Sequence, residues 1–166
     1  MGTEKNYILS KEVAEKKMRR MAFEILENNI DEKEIILAGI RESGSVVARV
    51  IQTMLGEISS IKTELITITL DKKQPTDVSL SRTFDFNNKV IVLIDDVSNS
   101  GKTLLYALKP FIVFHPKKIQ TLVLVERTHT SFPVRPDYVG LSLATTIQEH
   151  IFVEVKDDEV SGAYLS

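Results

Sequence analysis

Two adjacent carboxylates, Asp95 and Asp96, stand at the end of the apolar run Val90–Ile94 and are followed by Val97, Ser98, Asn99, Ser100, Gly101, Lys102 and Thr103. Gly101-Lys102-Thr103 would close the phosphate-binding pattern G-x-x-x-x-G-K-[ST], but Asp96 occupies the place of its first glycine. Carboxylates beside a triphosphate would repel it unless metal covered them. Beside a sugar they accept hydrogen bonds from hydroxyls and favour positive charge developing at the anomeric carbon. The turn that follows suits a single phosphate. It offers backbone N–H groups, the hydroxyls of Ser98, Ser100 and Thr103, the amide of Asn99, and close backbone approach at Gly101. A helix start behind it would add ~0.3–2 kcal/mol through its dipole. Together these residues describe a ribose 5-phosphate site. The same residues also fit an acidic pair holding Mg²⁺ in a phosphotransfer or receiver domain, with Ser98–Thr103 as a helix cap.

The acids must be presented by a strand. Val90–Ile94 is apolar on both faces, as is Thr121–Val125, and Ile35–Ala38 is a shorter run of the same kind. Between them the apolar residues recur at helical spacing. Ser10 is positioned to cap a helix that reaches Asn28 with Val13, Ala14, Met18, Met21, Ala22, Ile25 and Leu26 on one face. A second helix is expected around Val46–Leu55, and a third from Gly101 to Val113, kinked or ended early by Pro110. Leu65–Leu70 reads as a strand rich in β-branched residues, with shorter strands at Tyr138–Leu143 and Ile151–Val155. Alternating β and α segments with doubly apolar strands imply an α/β fold around a mostly parallel sheet. Ligands in such sheets bind beyond the carboxyl ends of the strands, where Asp95 and Asp96 lie.

The 166 residues suit a single domain, 1–166. The stretch Asp71–Asn88 is long, polar and without periodicity, the mark of a mobile functional loop, and it carries Lys72, Lys73 and Arg82. The absence of cysteine excludes disulfides and thiolate metal sites. None of His115, His129 and His150 pairs at metal-ligand spacing, so no metal bound directly by the protein is expected. The start of the chain has no apolar signal region and no run long enough to span a membrane, so a cytoplasmic protein is the expectation. A net charge of −2 confines any nucleic-acid surface to a local patch.

The segment Val90–Thr103 resembles the PRPP signature of type I phosphoribosyltransferases, with Ser100 in place of the first threonine of their loop. Ile36–Gly44 (ILAGIRESG) and Leu122–Leu143 resemble the pyrimidine-operon regulator (PyrR) and uracil phosphoribosyltransferase group. The resemblance runs from about Leu9 to Val155 and implies that family's fold, a mostly parallel central sheet flanked by helices with a small hood. It implies that Asp95 and Asp96 hold the ribose hydroxyls and stabilise an oxocarbenium-like transition state, and that Val97–Thr103 cradle the 5′-phosphate. Arg41, Glu42, Ser43 and Gly44 become the pyrophosphate turn, with Glu42-Ser43 where the group has Thr-Arg. Magnesium would arrive with PRPP.

Glu126, Arg127 and Thr128 fall on the base side. Purine relatives carry a lysine at the position of Glu126, and an ionised carboxylate cannot donate to a purine oxygen, so uracil is the favoured base. The expected reaction is transfer of the phosphoribosyl group to uracil, giving UMP and pyrophosphate. The alternative is a PRPP- or nucleotide-sensing regulator with little catalysis that binds RNA, for which Arg20, His129 and Arg135 are the matching contacts. A homodimer or larger homo-oligomer also follows from the resemblance.

Overall fold

The computed structural model describes residues 4–144, 146 and 148–166. The chain alternates as β1 (Asn6–Ser10), α1 (Lys11–Asn28), β2 (Glu34–Ile40), α2 (Ser43–Ile58), β3 (Lys62–Leu70), β4 (Val78–Leu80) and β5 (Val90–Ser98). It continues through α3 (Lys102–Ala107), α4 (Lys109–Ile112), β6 (Lys118–Arg127), β7 (Tyr138–Leu143), β8 (Ile151–Lys156) and β9 (Glu159–Leu165). Six strands form one sheet in the order β4-β3-β2-β5-β6-β7, parallel throughout except for the β3–β4 pair. β1, β9 and β8 form a separate antiparallel hood.

β5 lies at the centre because both of its faces are apolar. Val92 and Ile94 pack with the buried faces of α1 and α2, whereas Ile91 and Leu93 pack on the other side with Leu104, Ala107, Phe111 and Phe86. The cap on α1 forms as its sequence requires, with the Val13 backbone N–H donating to Ser10 Oγ at 3.2 Å. Ala14, Met18, Met21, Ala22 and Ile25 are buried, but Val13, on the edge of that stripe, is exposed. A buried polar tie fixes α1 to the sheet. Asn29 Nδ2 donates to Ile25 O at 2.8 Å and to Gln120 Oε1 at 3.1 Å, and the Tyr138 hydroxyl donates to the same oxygen at 2.8 Å. Burial, followed by the charge of Asp137, pushes the Tyr138 phenol up to about 12.

The early end expected at Pro110 is observed, while two other expectations differ. The third helix is broken at Leu108, and Pro110 opens the short α4, because a proline ring is accommodated in a first helical turn and not in an interior. The stretch 71–88 is only partly loop. Val78–Leu80 pairs antiparallel with Ile68–Leu70, Thr67 N–H donates to Ser81 Oγ at 2.9 Å, and Phe86 is fully buried. Phe86 stands edge-on to Phe111 and Phe114, with ring centroids 5.0 and 5.2 Å away. Strand β4 covers three residues, too few for a period to register. The hood also gains β1 and β9, whose inward residues Leu9, Val160 and Ala163 join the core with Ile151 of β8. Among the described residues no helix is long and apolar enough to cross a membrane.

Truncating Phe86 to alanine should cost about 3–5 kcal/mol of unfolding free energy, as for a fully buried aromatic ring. Urea denaturation measures this, and a loss below about 1 kcal/mol would mean that the segment is not part of the core.

Candidate active site

β5 continues four residues past its expected end at Ile94, to Ser98, so both acids are held in extended backbone next to β6. They are not equivalent. The Asp95 side chain is 1% exposed, whereas that of Asp96 is 15% exposed and lines a cleft of about 290 Å³. Asp95 Oδ1 accepts the Asp96 backbone N–H at 2.8 Å, and Asp96 Oδ1 accepts that of Val97 at 2.8 Å. The Lys72 ammonium lies 3.2 and 3.3 Å from the two oxygens of Asp95 and 3.6 Å from Asp96 Oδ1. Burial, and then the charge of Asp96, push the Asp95 carboxyl well above the usual carboxylate range, while Lys72 pulls it back. Burial works to lower the Lys72 pKa, and the attraction of Asp95 and Asp96 overcomes it to leave a net rise.

The cleft brings together one of the two acids and the whole loop that the sequence singled out. Asp96, Val97, Ser98, Asn99, Ser100, Gly101, Lys102 and Thr103 all line it, with Lys72 and Ile151 completing the wall. Ser98 Oγ is buried in this wall and makes no hydrogen bond among the described residues. The loop is braced from behind. Ser100 O accepts from the backbone N–H groups of Ser131 and Phe132 at 3.0 and 3.1 Å, and Lys102 N–H donates to Ser100 Oγ at 3.3 Å. Gly101 has φ +86°, and a Cβ there would lie 2.9 Å from Val134 O. The glycine is required by both conformation and space. Because α3 has only six residues, an anion here would be held by turn amides and hydroxyls more than by a helix dipole.

Arg41 and Glu42 connect β2 to α2, whose first two residues are Ser43 and Gly44. The backbone presses against the acids at Gly44, where a Cβ would fall 2.9 Å from both Asp95 Cα and Asp95 Oδ1. Gly39 allows the matching approach at the other end, since a Cβ there would meet Ala48 Cβ and Ser45 Cα at 2.9 Å. The Arg41–Glu42 peptide is cis. Arg41 and Glu42 are exposed and line a second, more open cleft of about 810 Å³ with Ser45, Arg49, Thr67, Thr69, Ser79 and Ser81.

On the other side, Glu126 lies opposite Ser98 in the β5–β6 register and accepts a hydrogen bond from Ser142 Oγ at 2.7 Å. Arg127 is not among the residues that line the cleft. Its guanidinium donates to Thr146 O at 3.0 Å and to Glu149 O, strapping the segment that leads into the hood. Thr128 N–H donates to Leu143 O at 2.9 Å. Arg20 is committed to Glu24 and to the carbonyls of Val139 and Gly140, at 2.9 and 3.1 Å, while His129 and Arg135 are exposed on the loop after β6. Arg82 is turned to Glu64 and Leu65 O on β3. Among the described residues no group of three or more His, Cys, Asp or Glu side chains could hold a metal ion.

The sequence named Lys72 only as one of several loop cations, and it carried no signal that Ile151, from the hood, would wall the cleft. Both placements are long-range, set by the β3–β4 hairpin and by the hood's docking.

Comparison with known proteins places this geometry. Residues 6–159 match the model of a family described as a phosphoribosyl transferase domain. The chain is 33% identical over 169 residues to "Bifunctional protein PyrR" of Clostridium novyi (strain NT), covering 96% of this chain and 95% of the relative. It is 34% identical over 145 residues to the protein of the same name from Streptococcus pneumoniae (strain CGSP14), covering 83% of each. Its fold is similar to that of a hypoxanthine-guanine phosphoribosyltransferase from Bacillus anthracis, with TM-score 0.70, 19% identity, and 86% of this chain and 84% of that one covered. It is similar also to the hypoxanthine phosphoribosyl transferase of Trypanosoma cruzi, with TM-score 0.76, 12% identity, and 98% and 93% covered.

Gly101→Val should lower stability by about 1–2 kcal/mol from the left-handed backbone alone, with the clash against Val134 O adding to it. An unchanged urea midpoint would mean that the loop does not need its observed conformation. Asp95 makes the fold sensitive to pH. With its folded pKa raised, the unfolded state releases the proton first as pH rises. The favourable contribution is then full below about pH 4 and is lost as pH climbs toward the folded value. Asp95→Asn should therefore gain melting temperature over wild type at pH 7 relative to pH 4. A gap that stays constant across that range would argue against a buried carboxylate charge.

Proposed function

This chain belongs to the phosphoribosyltransferase family, and from that premise we propose that it transfers the 5-phosphoribosyl group of Mg-PRPP to a nucleobase, uracil first, releasing UMP and pyrophosphate. The observation that carries this reading is the single cleft in which Asp96 and the whole loop Val97–Thr103 face the same space. A carboxylate and a turn of amides and hydroxyls, side by side, match a sugar that carries one phosphate.

In the proposed reaction the bond from the ribose anomeric carbon to the pyrophosphate oxygen breaks, and its electron pair leaves with pyrophosphate. The base nitrogen supplies the pair for the new glycosidic bond and loses its proton to the departing pyrophosphate or to water. Positive charge grows on the ribose ring as the first bond lengthens, and Asp96 is the anion positioned to stabilise it. Asp95 is the deeper of the two and accepts a ribose hydroxyl only when Lys72 has moved off its oxygens. Val97–Thr103 hold the 5′-phosphate, with Ser98 Oγ, buried and unpaired, as an available donor. Magnesium brought with PRPP would supply positive charge against the pyrophosphate, and Arg41 is the protein cation of the adjoining turn. Glu126, held by Ser142, offers only acceptor oxygens to the base side, which disfavours a purine carbonyl and leaves uracil preferred.

One observation favours a second reading, a PRPP-sensing regulator with little turnover. Glu42 puts a negative charge into the turn assigned to pyrophosphate, and its side chain makes no capping hydrogen bond. RNA binding in that reading would rely on His129 and Arg135, because the Arg20 guanidinium is engaged by Glu24 and two carbonyls. Pyrophosphate release from Mg-PRPP with individual bases, measured beside PRPP binding, separates the two. Turnover with uracil supports the enzyme, binding without turnover for every base supports the sensor, and no binding of PRPP rejects both. Asp96→Asn should lower kcat by ~10²-fold, about 2.7 kcal/mol of transition-state stabilisation. Unaltered turnover in that variant would remove Asp96 from the mechanism.

A further inference from the structure

Lys72 belongs to the segment 71–77 that joins β3 to β4, and its ammonium occupies the acidic pair. The backbone around it is anchored. Asp71 Oδ1 accepts the Lys73 N–H at 2.9 Å, and Lys109 Nζ reaches across from α4 to Thr76 O at 2.9 Å. The side chain is not confined in the same way. Its charge meets an Asp95 that is 1% exposed on one side, while Lys72 itself remains 46% exposed and lines the cleft on the other. A lysine is a compact charge on a flexible stem, able to swing from one anion to another without moving its backbone.

The acids need such a cation when no ligand is present, since two adjacent carboxylates at a buried strand end repel each other and lose hydration. A ribose diol needs the same oxygens, and Lys72 Nζ already sits on both oxygens of Asp95. Those oxygens have lone pairs to spare, but the ammonium lines the cleft where Asp95 does not, so a ribose hydroxyl reaches them only after it moves. The positive charge that leaves must find another partner, and a pyrophosphate on the anomeric carbon brings several anionic oxygens to the mouth of the same cleft.

We propose that Lys72 is a displaceable counter-ion: it holds Asp95 and Asp96 in the ligand-free protein, and the incoming ribose transfers it to the departing pyrophosphate. This rests on the phosphoribosyl-transfer reading above. The substrate thus carries its own exchange, with hydroxyls replacing the ammonium on the acids while the pyrophosphate takes up the ammonium. A ligand with the sugar and 5′-phosphate but no pyrophosphate displaces Lys72 without compensating it. The protein therefore discriminates PRPP from ribose 5-phosphate through a residue that initially contacts neither phosphate.

The test compares binding of Mg-PRPP and ribose 5-phosphate by calorimetry to wild type, Lys72→Met and Lys72→Arg. In Lys72→Met, PRPP affinity should fall about tenfold or more, whereas ribose 5-phosphate affinity should hold or rise because its competitor is gone. Lys72→Arg should restore most of the preference for PRPP. Equal weakening of both ligands in Lys72→Met, or no change in either, overturns the proposal and leaves the phosphoribosyl site intact. Wild-type protein that binds neither ligand overturns the underlying reading as well. If Lys72→Met fails to fold, Lys72→Gln provides the same comparison, and loss of folding in both would assign Lys72 a structural role and reject the exchange.

Discussion

Adjacent carboxylates on a strand end within a folded interior repel one another and are deprived of water, and the carboxyl end of β5 is organised around that tension. Asp95 is buried, Asp96 faces the cleft, and one ammonium from the β3–β4 turn touches both. Backbone N–H groups of Asp96 and Val97 stabilise the two carboxylates locally. The balance holds only while the β3–β4 hairpin keeps Lys72 in reach. The six-stranded sheet therefore serves the site in two ways, presenting the acids at its centre and supplying the cation from its edge.

Close backbone approach is the second condition. Gly44 brings the β2–α2 turn against Asp95, and Gly101 brings the loop after β5 against the carbonyl of Val134. In each place a Cβ would come within 2.9 Å of another backbone atom, so a side chain would push the turn away from the strand end. The phosphate loop is also supported by the loop after β6, through Ser131, Phe132 and Ser100 O. Segments distant in sequence thus hold the loop in its curved shape. The hood contributes Ile151 to the cleft wall, and the Arg127 guanidinium ties β6 to the carbonyls of Thr146 and Glu149.

Much of this was legible in the residues themselves. Val90–Ile94 announced a strand buried on both faces, Ser10 a capped helix, and Pro110 a helix that could not continue. The contiguous run Asp95–Thr103 could be read as one unit because its acids, amides and hydroxyls lie within one strand-and-turn. The stretch 71–88 was harder to read, because β4 is three residues long and Phe86 is a single aromatic among polar neighbours. β1 and β9 gave weak signals for a related reason. Their pairing joins opposite ends of the chain, Asn6 to Leu165, and no local window contains both.

By itself the sequence determined the parallel α/β architecture, the acidic pair and the phosphate-type loop, because periodicity and contiguous motifs are local properties. The tertiary structure decided which acid is sealed and which is open, that Lys72 rather than Lys73 or Arg82 reaches them, and that Arg127 and Arg20 are bound to backbone carbonyls. Those outcomes depend on distances between segments tens of residues apart. Only the packing of the sheet, its edge hairpin and the hood sets such distances.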